Sequence, residues 1–490
     1  MDDLLAERRA GVLLHITSLP NENGQGDLGK EAYNFVNFLR DTGIKVWQTL
    51  PLGVPHSDGS PYQCLSAHAG NPQFINLDLL QEQGWLTEDI FCTQCENGSC
   101  YRKTCLLAKA LENFNSLATV KDKKEFSDFC HDKAEWLDDY ALFISLRHEF
   151  ESRCWNQWPK HFKERDAKAL KEATRRLSNE IQVIKFEQFI FHQQWMALKV
   201  YANENDVLLF GDIPIFVSYD SVDVWVNRKV FKLDKSGEMS VVAGVPPDYF
   251  SETGQRWGNP HYNWDFLKKS KFKWWKQRLK SQLDMFDILR IDHFRGFEAA
   301  WEIPADEETA INGKWVKAPG KLLLQTLEKE FGRIPLIAED LGEITPEVDK
   351  LRTEFKLPGM KILHFAFGDS AENPYLPHNY EPNTVVYTGT HDNDTTLGWF
   401  NSLSDDEKHR VYEYLGGSHI AMPQLLIGVA LASVANLAIV PMQDILNLGS
   451  DDRMNVPGTV EGNWQWQFEW HQLTDPVAIK LSNVIKLFGR

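Results

Sequence analysis

The sequence contains no apolar stretch long enough to cross a bilayer. Its longest, Leu425 to Val440, is interrupted by Ser433 and Asn436 and reads as a buried helix leading into a strand. Met1 to Ala10 is charged and has no apolar core of a secretory signal, so a cytoplasmic protein is expected. Positive charge is in deficit: 52 Lys and Arg against 69 Asp and Glu give a formal charge of −17. That field repels phosphate backbones and anionic lipids, which argues against nucleic acid and membranes as partners and suits a neutral substrate. Cysteine is sparse and odd in number, seven in 490 residues, as expected of reduced thiols. Sequence repeats of solenoid period and low-complexity linkers are absent. There is no HExxH, EF-hand loop or His-rich tract, so no cofactor or catalytic metal is expected.

What the chain does have is a recurring strand signal. Short apolar, β-branched runs end in polar clusters at Val12–Thr17, Val46–Leu52, Val207–Phe216, Ile288–Arg295, Ile334–Leu341, Met360–Phe367, Thr384–Asp392 and Leu437–Ile445. Helical patterns lie between several of them. Phe186, Phe189, Ile190, Ala197 and Val200 share one face before the third run, and Tyr33, Val36, Phe38 and Leu39 do so before the second. Eight buried strands alternating with helices predict an α/β fold, a (β/α)8 TIM barrel. A doubly wound open sheet is the alternative, but no glycine-rich phosphate loop follows the first strand.

Length alone would allow roughly three domains. A single barrel spanning 1–490 accounts for it if two intervals hold insertions. Residues 53–206 are too long for one crossover and predict a mainly helical subdomain. Residues 217–284 carry a hairpin-like segment from Val230 to Val242 and then a Gly/Pro-rich loop, expected to build a substrate cleft.

In such barrels the chemistry sits at the carboxyl ends of the strands. The fourth strand ends Leu289-Arg290-Ile291-Asp292-His293, where alternation puts Arg290 and Asp292 on one face. An Arg beside an Asp favours the ionised carboxylate a nucleophile needs, although a buried pair that merely ties the barrel would look the same. The fifth ends Ala338-Glu339-Asp340; a Glu in a cleft beside a like charge has its pKa raised, as a general acid requires, while a helix cap is the plain alternative. The third ends Gly211-Asp212, and the seventh Gly389-Thr390-His391-Asp392-Asn393-Asp394. Two carboxylates flanking a scissile bond are the equipment of glycoside chemistry, and in double displacement they stand about 5–5.5 Å apart. Carboxylates with His also build metal sites, which is the rival reading. Aromatics make up 12% of the chain, with 17 Trp; most should be core, yet flat amphipathic rings also suit sugar faces.

Several stretches together resemble a known family. Arg290-Ile-Asp292-His293-Phe-Arg-Gly, Ala338-Glu339-Asp340-Leu-Gly and Gly389-Thr-His391-Asp392-Asn-Asp394-Thr are similar to motifs of the α-amylase superfamily. Leu13-Leu-His15-Ile-Thr-Ser-Leu-Pro20, Gly59-Ser-Pro-Tyr62-Gln63, Gly211-Asp212-Ile-Pro-Ile-Phe216, Gly254-Gln-Arg-Trp257-Gly-Asn-Pro260 and Gly462-Asn-Trp464 narrow the resemblance to glycoside hydrolase family 77, the amylomaltases or disproportionating enzymes. Ile16, His68, Ala300 and Gln467 depart from that family's usual residues, and none is a proposed chemical group.

The resemblance implies a retaining 4-α-glucanotransferase acting on malto-oligosaccharides, starch or glycogen-type glucans, with glucose as one acceptor. It implies Asp292 as nucleophile, Glu339 as acid/base and Asp392 as a third carboxylate gripping the reacting sugar. Arg290 would support Asp292, His293 and His391 would bond to that ring, Tyr62 would stack on it, and Asp212 would contact its hydroxyls. Trp257 would lie in a mobile loop at the acceptor side. No antiparallel β-domain is expected after the eighth strand, since about 45 residues remain beyond Ile445. Hydrolysis by the same carboxylates and a non-catalytic glucan-binding scaffold are the alternatives, and oligomeric state is not readable. Separately, Cys92, Cys95, Cys100 and Cys105 have a spacing that would suit a structural zinc, with free thiols as the alternative.

Overall fold

The computed structural model describes residues 4–21, 24–87, 98–247, 251–368, 370–417 and 420–490, with 98–102 described by backbone alone. Of the four cysteines considered for zinc, Cys92, Cys95 and Cys100 lie outside the described side chains; Cys105 is a partly buried free thiol.

Eight parallel strands form the central sheet: β1 (Arg9–Leu13), β2 (Val46–Gln48), β3 (Leu208–Pro214), β4 (Ile288–Asp292), β5 (Leu336–Ala338), β6 (Gly359–Ile362), β7 (Thr384–Tyr387) and β8 (Leu437–Pro441). They run in the order β6-β7-β8-β1-β2-β3-β4-β5. The Ala338 N–H donates to Pro358 O at 2.9 Å, joining β5 to the approach of β6 and closing the ring. The fold is a (β/α)8 barrel. Most strands are shorter than the apolar runs that announce them, and the first is displaced: it starts at Arg9, three residues before its run, and ends at Leu13.

Alternation along each strand divides the apolar side chains into two layers. Phe210, Ile288, Ile337, Val385, Tyr387, Leu437 and Ile439 pack together in one small cluster, which fills the barrel. Their neighbours Leu209, Leu289, Leu336, Val386, Ala438 and Val440 belong to the large cluster under the helices. Close packing inside needs a residue without a side chain: a Cβ on Gly11 would come 2.3 Å from Ile439 Cδ1.

Helices cover the outside for the reason their spacing implied. Lys30–Thr42 buries Phe35, Val36, Phe38 and Leu39 and stops at Gly43, whose φ of 86° ends the helix in the left-handed region. Ser178–Glu204 buries Ile184, Phe186, Phe189, Ile190, Trp195 and Leu198 ahead of β3, whereas Ala197 and Val200, expected on the same face, are exposed because Trp195 and Leu198 turn inward in their place. Between β2 and this helix the described residues are mainly helical, including Val120–Asp132, Ala134–Glu149 and Ala167–Arg176.

A second sheet was not foreseen. Four antiparallel strands pair in the order Gln255–Pro260, Val241–Val245, Ala299–Pro304, Lys314–Lys317. Two come from the interval before β4 and two from the interval after it. Trp257 therefore stands on a strand, and the loop expected around it is corrected. Gly258 and Pro260 gave that stretch its loop-like composition, but pairing with Val241–Val245 overrides local preference, at the cost of a register shift between Val242 and Gly244. The expected Val230–Val242 hairpin reduces to one isolated bridge, Leu233 to Met239.

Candidate active site

The parity that fills the barrel also aims the polar residues. Two residues beyond Phe210 on the inward face stands Asp212; two and four beyond Ile288 stand Arg290 and Asp292; two beyond Ile337 stands Glu339. All sit at the carboxyl edge.

Arg290 is the hub. One guanidinium nitrogen donates to Asp292 Oδ1 at 2.9 Å and the other donates to Asp212 Oδ2. The fork thereby joins adjacent strands β3 and β4. Asp212 has no side-chain exposure, whereas Asp292 keeps 30% open, so Asp292 is the carboxylate presented to the cleft. The Tyr62 hydroxyl donates to Asp212 Oδ2 at 2.8 Å. Burial, with the Asp212 charge beside it, holds Tyr62 well above the usual phenol range and hence as a neutral donor.

Glu339 is held from the backbone. Its Oε2 accepts from the His293 N–H at 2.6 Å and its Oε1 from the Leu341 N–H at 2.8 Å. His293 reaches that position by adopting a left-handed backbone, φ 54°, directly after β4. Burial raises the Glu339 carboxyl to about 7; Arg290 and the two N–H donors pull down, and the Asp292 charge pushes up. Burial likewise raises Asp292, to about 6, against the pull of Arg290. Burial lowers the His293 ring to about 3, so it is a neutral imidazole, and it meets the Trp257 ring edge-to-face, with centroids 4.8 Å apart at 90°.

Asp392 closes the third side. Its Oδ1 accepts from Asn455 Nδ2 at 2.6 Å, and its Oδ2 lies 3.3 Å from His391 Nε2. The enclosing cleft opposes ionisation, but His391 and Asn455 outweigh it and hold this carboxyl below the usual carboxylate range. The His391 ring stacks on Tyr62 at 5.1 Å and 16°, and Trp464 flanks both at about 6 Å. All nine residues singled out from sequence thus form one connected set.

Three further residues belong to the site's framework. Gln63 and Asn259 exchange amide hydrogen bonds at 3.1 and 3.2 Å, tying the Tyr62 loop to the Trp257 strand. Asn455 is the third, and nothing local in its sequence marks it. Gln63 and Asn259 lie inside recognisable motifs, which was the only available signal.

An eight-stranded parallel barrel with a carboxylate pair on its carboxyl edge is the architecture of a (β/α)8 enzyme, and such a pair is the equipment of glycoside chemistry. A family model described as 4-alpha-glucanotransferase matches residues 14–474. The 4-alpha-glucanotransferase of Synechocystis sp. is 47% identical, over 99% of each chain. That of Thermus thermophilus is 48% identical over 94% of each, and the chloroplastic/amyloplastic one of Solanum tuberosum 43% identical over 99% of this chain and 86% of its own. Amylomaltase from Streptococcus agalactiae, solved in complex with acarbose, superposes with a TM-score of 0.95 at 39% identity, covering 99% of this chain and all of that one. The chain belongs to the 4-alpha-glucanotransferase family, glycoside hydrolase family 77. Its activity is glucan transglycosylation, and hydrolysis is not the principal reaction.

Proposed function

We propose that the chain cuts a 1,4-α-D-glucan at the barrel rim and passes the released segment to the 4-hydroxyl of another glucan or of glucose. Asp292 attacks the anomeric carbon while Glu339, protonated, delivers its proton to the departing glycosidic oxygen. The glycosidic bond breaks as the ester to Asp292 forms, and the leaving chain departs with a free hydroxyl. Glu339, now ionised, takes the proton of the incoming 4-hydroxyl, whose oxygen displaces Asp292. Two inversions at one carbon leave the α-configuration unchanged.

The observation that carries this reading is geometric: on adjacent strand ends, Asp292 is held by Arg290 and open to the cleft, and Glu339 is held by the backbone N–H groups of His293 and Leu341. Asp392 would grip hydroxyls of the reacting ring and favour its oxocarbenium character. Tyr62 and His391 would offer that ring a stacked flank. Asp212, expected from the resemblance to contact sugar hydroxyls, has no side-chain exposure and would instead hold Arg290 and Tyr62 in place. Trp257 would border the acceptor side. Among the described residues no helix is long and apolar enough to cross a membrane, and the described cysteines are all unpaired, which supports a reducing, cytoplasm-like compartment.

Incubation with maltotriose tests the assignment. Transfer gives glucose together with a ladder of longer oligosaccharides. Accumulation of glucose and maltose alone would overturn it.

A further inference from the structure

We infer that Asn455 is a positioning residue for catalysis, acting through Asp392 by fixing the direction in which that carboxylate meets the sugar. The inference rests on the reading of Asp392 as the carboxylate that grips the reacting ring.

Asp392 stands on the turn after β7, and 48% of its side chain is exposed. A carboxylate so open would rotate about its terminal torsion unless something held it, since that torsion is broad and nearly two-fold. Here the two oxygens are held from different places. His391, its own neighbour, lies against Oδ2, while Asn455, 63 residues away beyond β8, donates to Oδ1 at 2.6 Å. The same short stretch also grips the backbone: Arg453 Nη2 donates to Asp392 O at 3.1 Å, and Arg453 Nε donates to Asn455 O at 3.3 Å.

The clamp is itself anchored. Trp464 N–H donates to Met454 O at 2.7 Å, and Val456 N–H donates to Asn463 Oδ1 at 2.9 Å. Asn455 is itself buried, 9% exposed.

The donor's chemistry matters as well as its place. A Lys or Arg at this point would neutralise Asp392 and compete with sugar hydroxyls for it. A neutral amide orients the carboxylate and leaves its full charge for the developing oxocarbenium ion.

The test is steady-state disproportionation of maltotriose by the full-length enzyme, from acid to alkaline pH, with thermal unfolding recorded for each variant. Asn455→Ala is expected to lower kcat by about ten- to hundredfold, the worth of one hydrogen bond to a charged group, with KM changed much less. Asn455→Asp preserves shape but sets two carboxyls at hydrogen-bond distance. At acid pH the introduced group holds a proton and donates it as the amide did; as pH rises that proton is lost and two like charges face each other. Its activity is therefore expected to approach the parent's only on the acid side, with the alkaline limb displaced to lower pH. The inference falls if Asn455→Ala keeps kcat within about twofold while remaining folded, or if Asn455→Asp keeps the parent pH profile. Should the Ala variant not fold, the isosteric Asp variant decides alone. Asp392→Asn is the control: full activity there refutes the reading of Asp392 itself, whereas an inactive Asp392→Asn beside an unaffected Asn455→Ala refutes only the positioning role.

Discussion

The backbone N–H of His293 donates to the carboxylate of Glu339 at 2.6 Å, so the residue next to Asp292 in the chain physically carries one end of Glu339. The separation of the two carboxyls is consequently set by backbone geometry at the end of β4 and not by long side chains free to drift. Pre-organisation of this kind lets a site favour a transition state without reorganising during the reaction.

Loss of the nucleophile should be nearly complete. Asp292→Asn is expected to lower maltotriose turnover by about 10⁴-fold or more while leaving glucan binding in place, since the amide cannot form the ester. Isothermal titration with malto-oligosaccharide alongside the rate assay checks both halves. Retained turnover would remove Asp292 from the mechanism.

The pH dependence follows from which form of each group reacts. Asp292 must be ionised, so kcat/KM should fall as pH drops below about 6. Glu339 must be protonated, so it should also fall as pH rises above about 7. A bell with its maximum between the two limbs is expected from initial rates in the free-enzyme regime. A profile flat through neutrality would contradict the assignment of acid and nucleophile.

Arg290 serves two carboxylates, and its replacement should show twice. Arg290→Met removes the cation that draws Asp292 down, so the acid limb is expected to move to higher pH. It also leaves Asp212 and Asp292 facing each other unpaired, with destabilisation of about 3–5 kcal/mol expected from denaturant unfolding. An unchanged acid limb would show that Arg290 has no hold on Asp292.

The amide exchange between Gln63 and Asn259 should appear as coupling. Gln63→Ala, Asn259→Ala and the double variant are expected to give a non-additive term of about 1 kcal/mol in unfolding free energy. Strict additivity would mean that the Tyr62 loop and the Trp257 strand are fixed to each other by other contacts.

Much of this architecture could be read from sequence because strands buried on both faces appear as apolar runs, and the residue after each run marks the barrel rim. Arg290 and Asp292, two apart on one strand, were expected on a common face, and one hydrogen bond of 2.9 Å joins them. Contacts between distant segments are another matter. Tyr62 meets Asp212 across 150 residues, and no pattern local to either announces the bond. Trp257 was assigned to a loop because Gly258 and Pro260 disfavour strands, while the partner that makes it a strand lies at Val241–Val245. Lys314–Lys317 gives no strand signal of its own, because its exposed-edge composition, Lys-Trp-Val-Lys, is too short and too charged. Asn455 was invisible for a simpler reason: an amide's worth depends on what it faces.

The antiparallel sheet interleaves strands from before and after β4, so neither segment can be exchanged alone. A chimera that imports Val241–Pro260 from a relative to change acceptor preference would strand its new edge against a foreign Ala299–Pro304. Successful transplants should therefore carry both stretches together and leave the strand bearing Asp292 as the fixed stem between them.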